Sequence, residues 1–108
     1  MKEINAFIHS HRIADVVAAI KGAGCRNVSV VDVKGLLKRI DPQERHYSLE
    51  IAEEVIVESK LQLLCEDDQA DRLVEIIARV GRTGQDQAGV VYVTDVLKAV
   101  TITGPYVM

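Results

Sequence analysis

The chain repeats one pattern of strand, helix and strand twice, and this repeat limits its possible folds more than any other feature. In the first copy, apolar and polar residues alternate over 4–8, as in a half-buried strand. Apolar residues then recur at helical spacing over 13–20, and a β-branched run at 28–33 predicts a second strand. Ser10 is placed to cap the helix and Gly22 to end it.

The second copy has the same order of elements. A strand pattern at 55–65 precedes an amphipathic helix with its apolar face at 73–80, and Asp67 or Asp68 is placed to cap that helix. A third β-branched run, at 89–94, closes this copy. The closing strands of the two copies read VVDV and VTDV, so the repeat extends to the residue level.

Two such units joined in one chain predict an α+β fold, the ferredoxin-like βαββαβ sandwich. Both helices are expected on one face of a four-stranded antiparallel sheet, and 97–103 is expected to add a short extended piece. A chain of 108 residues holds one core, so we predict a single domain, 1–108. The other sheet face is expected to carry a mixed surface: Glu3, Asn5, Phe7, Glu58, Lys60 and Gln62.

The composition excludes several classes of function. Thirteen basic against sixteen acidic residues give a net charge of −3, which argues against nucleic-acid binding. Aromatic residues are 4% and Trp is absent, so no base-stacking platform is expected. Two cysteines suit a reducing compartment, and no apolar run is long enough to span a bilayer. A cytoplasmic protein without direct membrane insertion is the expectation.

The middle segment, 36–54, reads LLKRIDPQERHYSLEIAEE and fits neither the strand nor the helix period. Segments of this length without regular structure are usually functional or disordered. Two interpretations stay open: a solvated loop, or an arm that docks on a partner protein. The side chains proposed for docking are Arg39, Tyr47, Leu49 and Ile51.

Metal-binding and catalytic patterns are sparse. His9 and His11 are expected on the same side of an extended segment, and Cys25, His46 and Cys65 are further soft ligands. No pair has the spacing of a known zinc module, so the prediction is no metal, with His9 and His11 as the candidates if one binds. No nucleophile–base arrangement stands out, and no enzyme activity is predicted.

Two glycine-containing stretches are better candidates for a ligand site. Lys34 to Arg39 places three cations around Gly35, and the stretch RTGQDQAGVVYV at 82–93 is a polar, glycine-flanked loop that leads into a strand. The backbone N–H groups of such a loop can hold an anion. Within one subunit the two stretches can face different clefts, whereas an oligomer can bring them together.

Three stretches of the chain resemble the P-II signal-transduction proteins, trimeric regulators of nitrogen and carbon metabolism. They read MKEINAFIHSHRIADVVAAIKGAG, VSVVDVKG and LQLLCEDDQADRLVEIIARVGRTG. The resemblance implies a homotrimer with a regulatory role and no enzymatic activity. By the same resemblance, 36–54 corresponds to the family's T-loop, 82–90 to its B-loop and 95–108 to its C-loop.

The resemblance also implies a nucleotide site between subunits. The residues that carry over to that site are Ser29, Gly35, Leu37, Lys38, Leu64, Thr83, Gly84, Gln87, Ala88 and Gly89.

This chain departs from the family pattern where the family binds phosphates. The family's loop reads TGxxGDGK, whereas this chain reads TGQDQAGV. Because cations are lost, ADP, AMP or a cyclic adenine nucleotide is the expected ligand rather than ATP, and a response to 2-oxoglutarate is not expected. The departures are Val90 for a lysine, Thr101 and Thr103 for arginines, Arg39 for a glutamine, Glu58 for a lysine and Ile51 for the modified tyrosine.

The leading hypothesis is therefore a divergent P-II-like regulator. It would bind a small effector in clefts between subunits and control a protein target, such as a membrane transporter, through 36–54. Two alternatives remain open at this point: a metal-responsive ferredoxin-like trimer, and an interaction scaffold without a ligand.

Overall fold

The computed structural model describes residues 1–36, 55–84 and 89–103. Its elements follow the predicted order, and each α-helix is preceded by a short 3₁₀ turn. The elements are β1 (Lys2–His9), a 3₁₀ turn (Ser10–Arg12), α1 (Ile13–Gly22), β2 (Val28–Leu36), β3 (Val55–Cys65), a 3₁₀ turn (Asp67–Gln69), α2 (Ala70–Val80) and β4 (Gly89–Asp95).

The four strands form one antiparallel sheet in the order β2-β3-β1-β4. The central strand β1 pairs with both neighbours, so that Ile4 lies opposite Leu63 on β3 and Val93 on β4. This order, with β1 and β3 inside and β2 and β4 at the edges, is the predicted ferredoxin-like arrangement. The α+β prediction is confirmed.

The core lies between the sheet and the two helices. Ile4, Ala6 and Ile8 are buried on one face of β1, because alternate strand residues share a face. The helices meet them with residues at helical spacing, Val16 and Ile20 among them. Within the described ranges, neither α-helix is long and apolar enough to cross a membrane.

The predicted caps are wrong at both helices. Each α-helix starts one or two residues later than the predicted capping side chain requires, because a 3₁₀ turn precedes it, and neither start has a side-chain cap. The hydroxyl of Ser10 instead accepts a hydrogen bond from Ser59 Oγ at 3.4 Å. Asp67 accepts one from the α-amino group of Met1 at 2.6 Å, which lowers the pKa of this carboxyl.

The extended piece expected at 97–103 forms no strand. β4 ends at Asp95, and the last backbone bond to the sheet joins Val96 N to the Met1 carbonyl oxygen at 3.1 Å. Leu97 and Ile102 are almost fully exposed. β4 is an edge strand, and its inner side already pairs with β1, so these residues meet no further strand in the described part of the chain.

Candidate functional site

The sheet face that points away from the helices is mixed, as predicted. Cross-strand pairing places Asn5 beside Gln62 and Phe7 beside Lys60, whose ammonium lies 5.8 Å from the Phe7 ring centroid. Although no helix of the described residues covers this face, Asn5 and Glu58 are only 3% exposed. The same face carries exposed apolar side chains: Val31, Leu64, Val90 and Tyr92.

The carboxylate of Glu3 joins neighbouring strands near one end of this open face. Asn5 Nδ2 donates to Glu3 Oε1 at 2.9 Å, and Gln62 Nε2 donates to Glu3 Oε2 at 2.6 Å. Thr94 Oγ1 lies 3.4 Å from Oε1. The bonds from Asn5 and Gln62 lower the pKa of Glu3, because they stabilise its charged form. Glu3 therefore links three strands while remaining ionised.

Two glycines bracket the loop that leads into β4, and their backbone angles explain why glycine is needed. Gly84 has φ +89° and Gly89 has φ +142°, values that side-chain-bearing residues rarely adopt. A Cβ at Gly89 would lie 2.0 Å from the carbonyl oxygen of Phe7. Gly89 thus lets β4 approach β1 at the point where the loop ends.

The other end of this loop is anchored by Arg12, whose side chain reaches the last residue of α2. Its Nε and Nη2 atoms donate to the Val80 carbonyl oxygen at 3.1 and 2.6 Å. Its Nη1 pairs with Asp15 at 2.8 Å. Arg12 therefore satisfies a carbonyl group that the helix end leaves open. The sequence gives no signal for this contact, because 68 residues separate the partners.

A cleft of about 140 Å³ lies where α2 ends beside β1 and β4. Phe7 and Ile8 from β1, Ile77 from α2 and the start of β4 form its walls. Arg82 lies at its rim among these mostly apolar groups. The ends of the 82–90 loop thus border a shallow apolar cleft.

The structure does not bring the sequence-predicted nucleotide residues together within one chain. Ser29 on β2 pairs with Gln62, two residues before Leu64 on β3, whereas Gly89 starts β4. β2 and β4 are opposite edges of the sheet, separated by three strand spacings or roughly 14 Å. Gly35 pairs with Ile56 near the far end of β2.

Several predicted residues lie outside the described residues: Leu37, Lys38, Arg39, His46, Tyr47, Leu49, Ile51, Gln87 and Ala88. Thr83 is half-buried, and Gly84 follows it at the edge of the loop.

The candidate metal ligands are arranged differently from the expectation. The extended segment ends at His9, and His11 lies in the 3₁₀ turn, with ring centroids 5.7 Å apart and planes tilted by 50°. In the described ranges, no three His, Cys, Asp or Glu side chains gather into a metal-ligand set. Cys65 is buried in the core, where burial raises the pKa of its thiol, and Cys25 packs against that core.

These features define the class of the protein: a ferredoxin-like α+β domain of two βαβ halves, with a long segment between them and a glycine-bracketed loop before the last strand. The family model for nitrogen regulatory protein P-II matches residues 1–105, so the chain belongs to the P-II family. The resemblance seen in the sequence is confirmed. Members of this family are regulatory proteins rather than enzymes, which confirms the prediction of no enzymatic activity.

Relatives in distant organisms match nearly the whole chain. The P-II protein of Porphyra purpurea is 28% identical over 102 residues, covering 94% of this chain and 91% of that protein. P-II protein 1 of Methanothermobacter thermautotrophicus is also 28% identical, with 94% and 89% covered. P-II protein 1 of Escherichia coli K12 is 28% identical, with 94% and 91% covered.

Proposed function

We propose that this chain is a cytoplasmic P-II-type regulator that binds an adenine nucleotide with fewer phosphates than ATP. The ligand would be ADP, AMP or a cyclic adenine nucleotide, held in the clefts between subunits of a homotrimer. The bound state would then be reported to a protein target, such as a membrane transporter, through 36–54.

The separation of the nucleotide residues supports a site shared between chains. Ser29 and Leu64 lie toward the β2 edge, and Gly84 and Gly89 lie at the β4 edge. A mononucleotide cannot contact both groups in one chain across roughly 14 Å of intervening strands. If the β2 edge of one chain approaches the β4 edge of the next, both groups face the same ligand, and this observation carries the proposal.

The charge of the loop supports a ligand with few phosphates. Val90 is exposed on the open face of β4, at the position where the resemblance implies a phosphate-binding lysine. A charge-assisted hydrogen bond contributes about 1.5–3 kcal/mol, so each lost cation weakens triphosphate binding by roughly tenfold or more. AMP and cyclic nucleotides need fewer of these cations.

The ends of 36–54 support its use as an arm. β2 and β3 pair up to Leu36 and Val55, so the chain leaves the sheet and returns to it at neighbouring positions. A ligand group that contacts Gly35 would therefore lie beside both roots of the arm, whereas Ser29 and Leu64 lie at the other end of β2 and β3.

Calorimetric titration of ATP, ADP, AMP, cyclic AMP and cyclic di-AMP tests the ligand. We expect saturable binding with at least one nucleotide and weaker binding with ATP. The absence of heat with all five, at high protein concentration, would remove the nucleotide role.

A matched pair of variants tests the proposed contact between Leu64 and the adenine base. Leu64 and Val30 are both 44% exposed, but Leu64 is on the open face and Val30 is on the helix-facing side of β2. Leu64→Ala should weaken nucleotide binding by roughly tenfold through lost apolar contact, and Val30→Ala should leave it unchanged. Equal effects would contradict the proposed position of the base.

Sedimentation tests the shared cleft. The chain has a mass of 11.9 kDa, and the proposal requires a species three times heavier at micromolar concentration. A monomer that still binds nucleotide would contradict the inter-subunit site.

A further inference from the structure

A second cleft, of about 180 Å³, lies at the opposite end of α2 from the glycine loop. Its walls are the connection between α1 and β2, at 23–27, and the start of α2. Arg26 and Arg72 face it from these two elements, and we refer to it as the arginine cleft. The length of α2, eleven residues or roughly 16 Å, separates it from the 82–90 loop.

The polar side chains that line the arginine cleft can all donate hydrogen bonds. Asn27 and Gln69 line it with the two arginines, and no carboxylate does. Among the residues that the structure describes, none of these four side chains makes a hydrogen bond or an ion pair. Two guanidinium groups on one cleft, neither of them in an ion pair with another described residue, indicate a site for an anion.

The walls of the arginine cleft are fixed by backbone bonds and packing. Gly24 N donates to the Lys21 carbonyl oxygen at 3.0 Å, and Cys25 N donates to that of Ile20 at 3.2 Å. Gly24 itself has φ +95°, which turns the chain sharply after α1. On the other wall, Leu73 is 3% exposed and holds α2 against the core. The two arginines therefore project from a rigid support.

We propose that the arginine cleft binds the oxyanion group, phosphate or carboxylate, of a small metabolite. Arginine binds both groups through two parallel N–H bonds, and donors from two elements can hold one anion from both sides. Leu64, which is 44% exposed and lines the cleft, supplies apolar surface for the carbon part of the metabolite. A water molecule takes about 30 Å³ of liquid, so the arginine cleft has room for an oxyanion with several attached atoms.

This site is separate from the proposed function, since neither arginine belongs to the nucleotide residues. Leu64 lines the arginine cleft and is also a proposed base contact.

Amide-detected NMR titration of the full chain with inorganic phosphate and, separately, with succinate tests the proposal. We expect saturable shifts confined to 23–27 and to the first turns of α2. Response to phosphate alone identifies a phosphate site, response to succinate alone a carboxylate site, and response to both a general oxyanion site. No saturable local shift with either probe overturns the proposal.

Substitution of each arginine by glutamine keeps an N–H donor in the side chain but removes the charge, and this gives the second test. The double variant Arg26→Gln, Arg72→Gln should bind the anion that gave shifts, phosphate or succinate, at least tenfold more weakly. Arg79→Gln, an exposed arginine near the other end of α2, should leave its affinity unchanged. The proposal is overturned if the double variant keeps its affinity for the anion, or if the double variant and Arg79→Gln lose affinity equally. Both arginines are exposed, so the variants should fold, and nucleotide titration on the same samples reports the proposed function independently.

Discussion

The two βαβ halves share one architecture but end their helices in different ways. After α1, three successive backbone N–H groups, from Ala23 to Cys25, return to carbonyl groups of α1. After α2, Gly81 N returns to the Ile77 carbonyl oxygen, and Arg12 from the other half completes the helix end. The first connection is closed locally, whereas the second depends on a contact across the domain.

This difference separates a helix end closed by its own backbone from one that also depends on a distant side chain. A helix end closed by its own backbone holds its shape whatever the rest of the domain does. A helix end held by one distant side chain changes when that side chain moves. In the second half, this end is also the start of the loop at 82–90, where the proposed ligand contact lies.

The largest effect is expected at the glycine that ends this loop. Gly89→Ala should lower the free energy of unfolding by at least about 3 kcal/mol, because the new Cβ would overlap the Phe7 carbonyl oxygen. Urea unfolding measures the change. Gly22→Ala is the control, since a Cβ there meets nothing within 4 Å, and a similar loss in both variants would contradict the explanation.

Removing the cross-domain contact is expected to have the next largest effect. Arg12→Ala should cost about 1.5 kcal/mol, because the Val80 carbonyl loses a charge-assisted donor. Hydrogen exchange at 81–84 should accelerate more than exchange at 23–27. Asp15→Ala removes only the exposed ion pair and should change stability by less than about 0.5 kcal/mol. Equal acceleration in both connections would remove the distinction between the halves.

A smaller effect is expected in the locally closed connection. Gly24→Ala places a Cβ in open space, so only the positive φ is penalised, at about 1 kcal/mol. Its urea midpoint should therefore fall between those of Gly22→Ala and Gly89→Ala. A loss as large as that of Gly89→Ala would mean that backbone angle, rather than close approach to β1, determines both costs.

The smallest effect concerns Glu3, which joins strands from both halves. The native pKa of Glu3 lies below its ordinary value of 4.5, so its contribution to stability is present above that pH and is lost as the pH falls through the native pKa. Glu3→Gln should flatten this part of the stability–pH curve, measured by urea unfolding. An unchanged curve would show that other carboxyl groups determine the loss of stability at low pH.

Periodicity predicted most of the fold. β3 has the bounds that its alternation predicts, and the two helices bury the faces set by their apolar spacing. The predicted caps, Ser10 and Asp67 or Asp68, are wrong. A polar residue before a helical pattern does not reveal that a 3₁₀ turn lies between this residue and the α-helix. Local patterns carry information about neighbours in sequence only.

The site could be predicted only in part for the same reason. The loop composition and the resemblance predict Gly84 and Gly89 as nucleotide contacts, and this role stays a prediction; the structure shows their positive φ angles. The contact of Arg12 with Val80 joins residues far apart in sequence, and Arg26 and Arg72 line one cleft although 46 residues separate them. Both arrangements arise only through the packing of α1, α2 and the sheet, which no local pattern specifies.

The placement of the proposed ligand residues on opposite sheet edges has a genetic consequence. If the proposed homotrimer forms, a subunit defective only at the β4 loop would inactivate one cleft, and a subunit defective only near β2 would inactivate a different one. Mixing the two kinds of subunit would leave some clefts built from two intact edges. Two alleles that are each inactive alone would then complement one another, while a subunit with both defects would act dominantly on its neighbours.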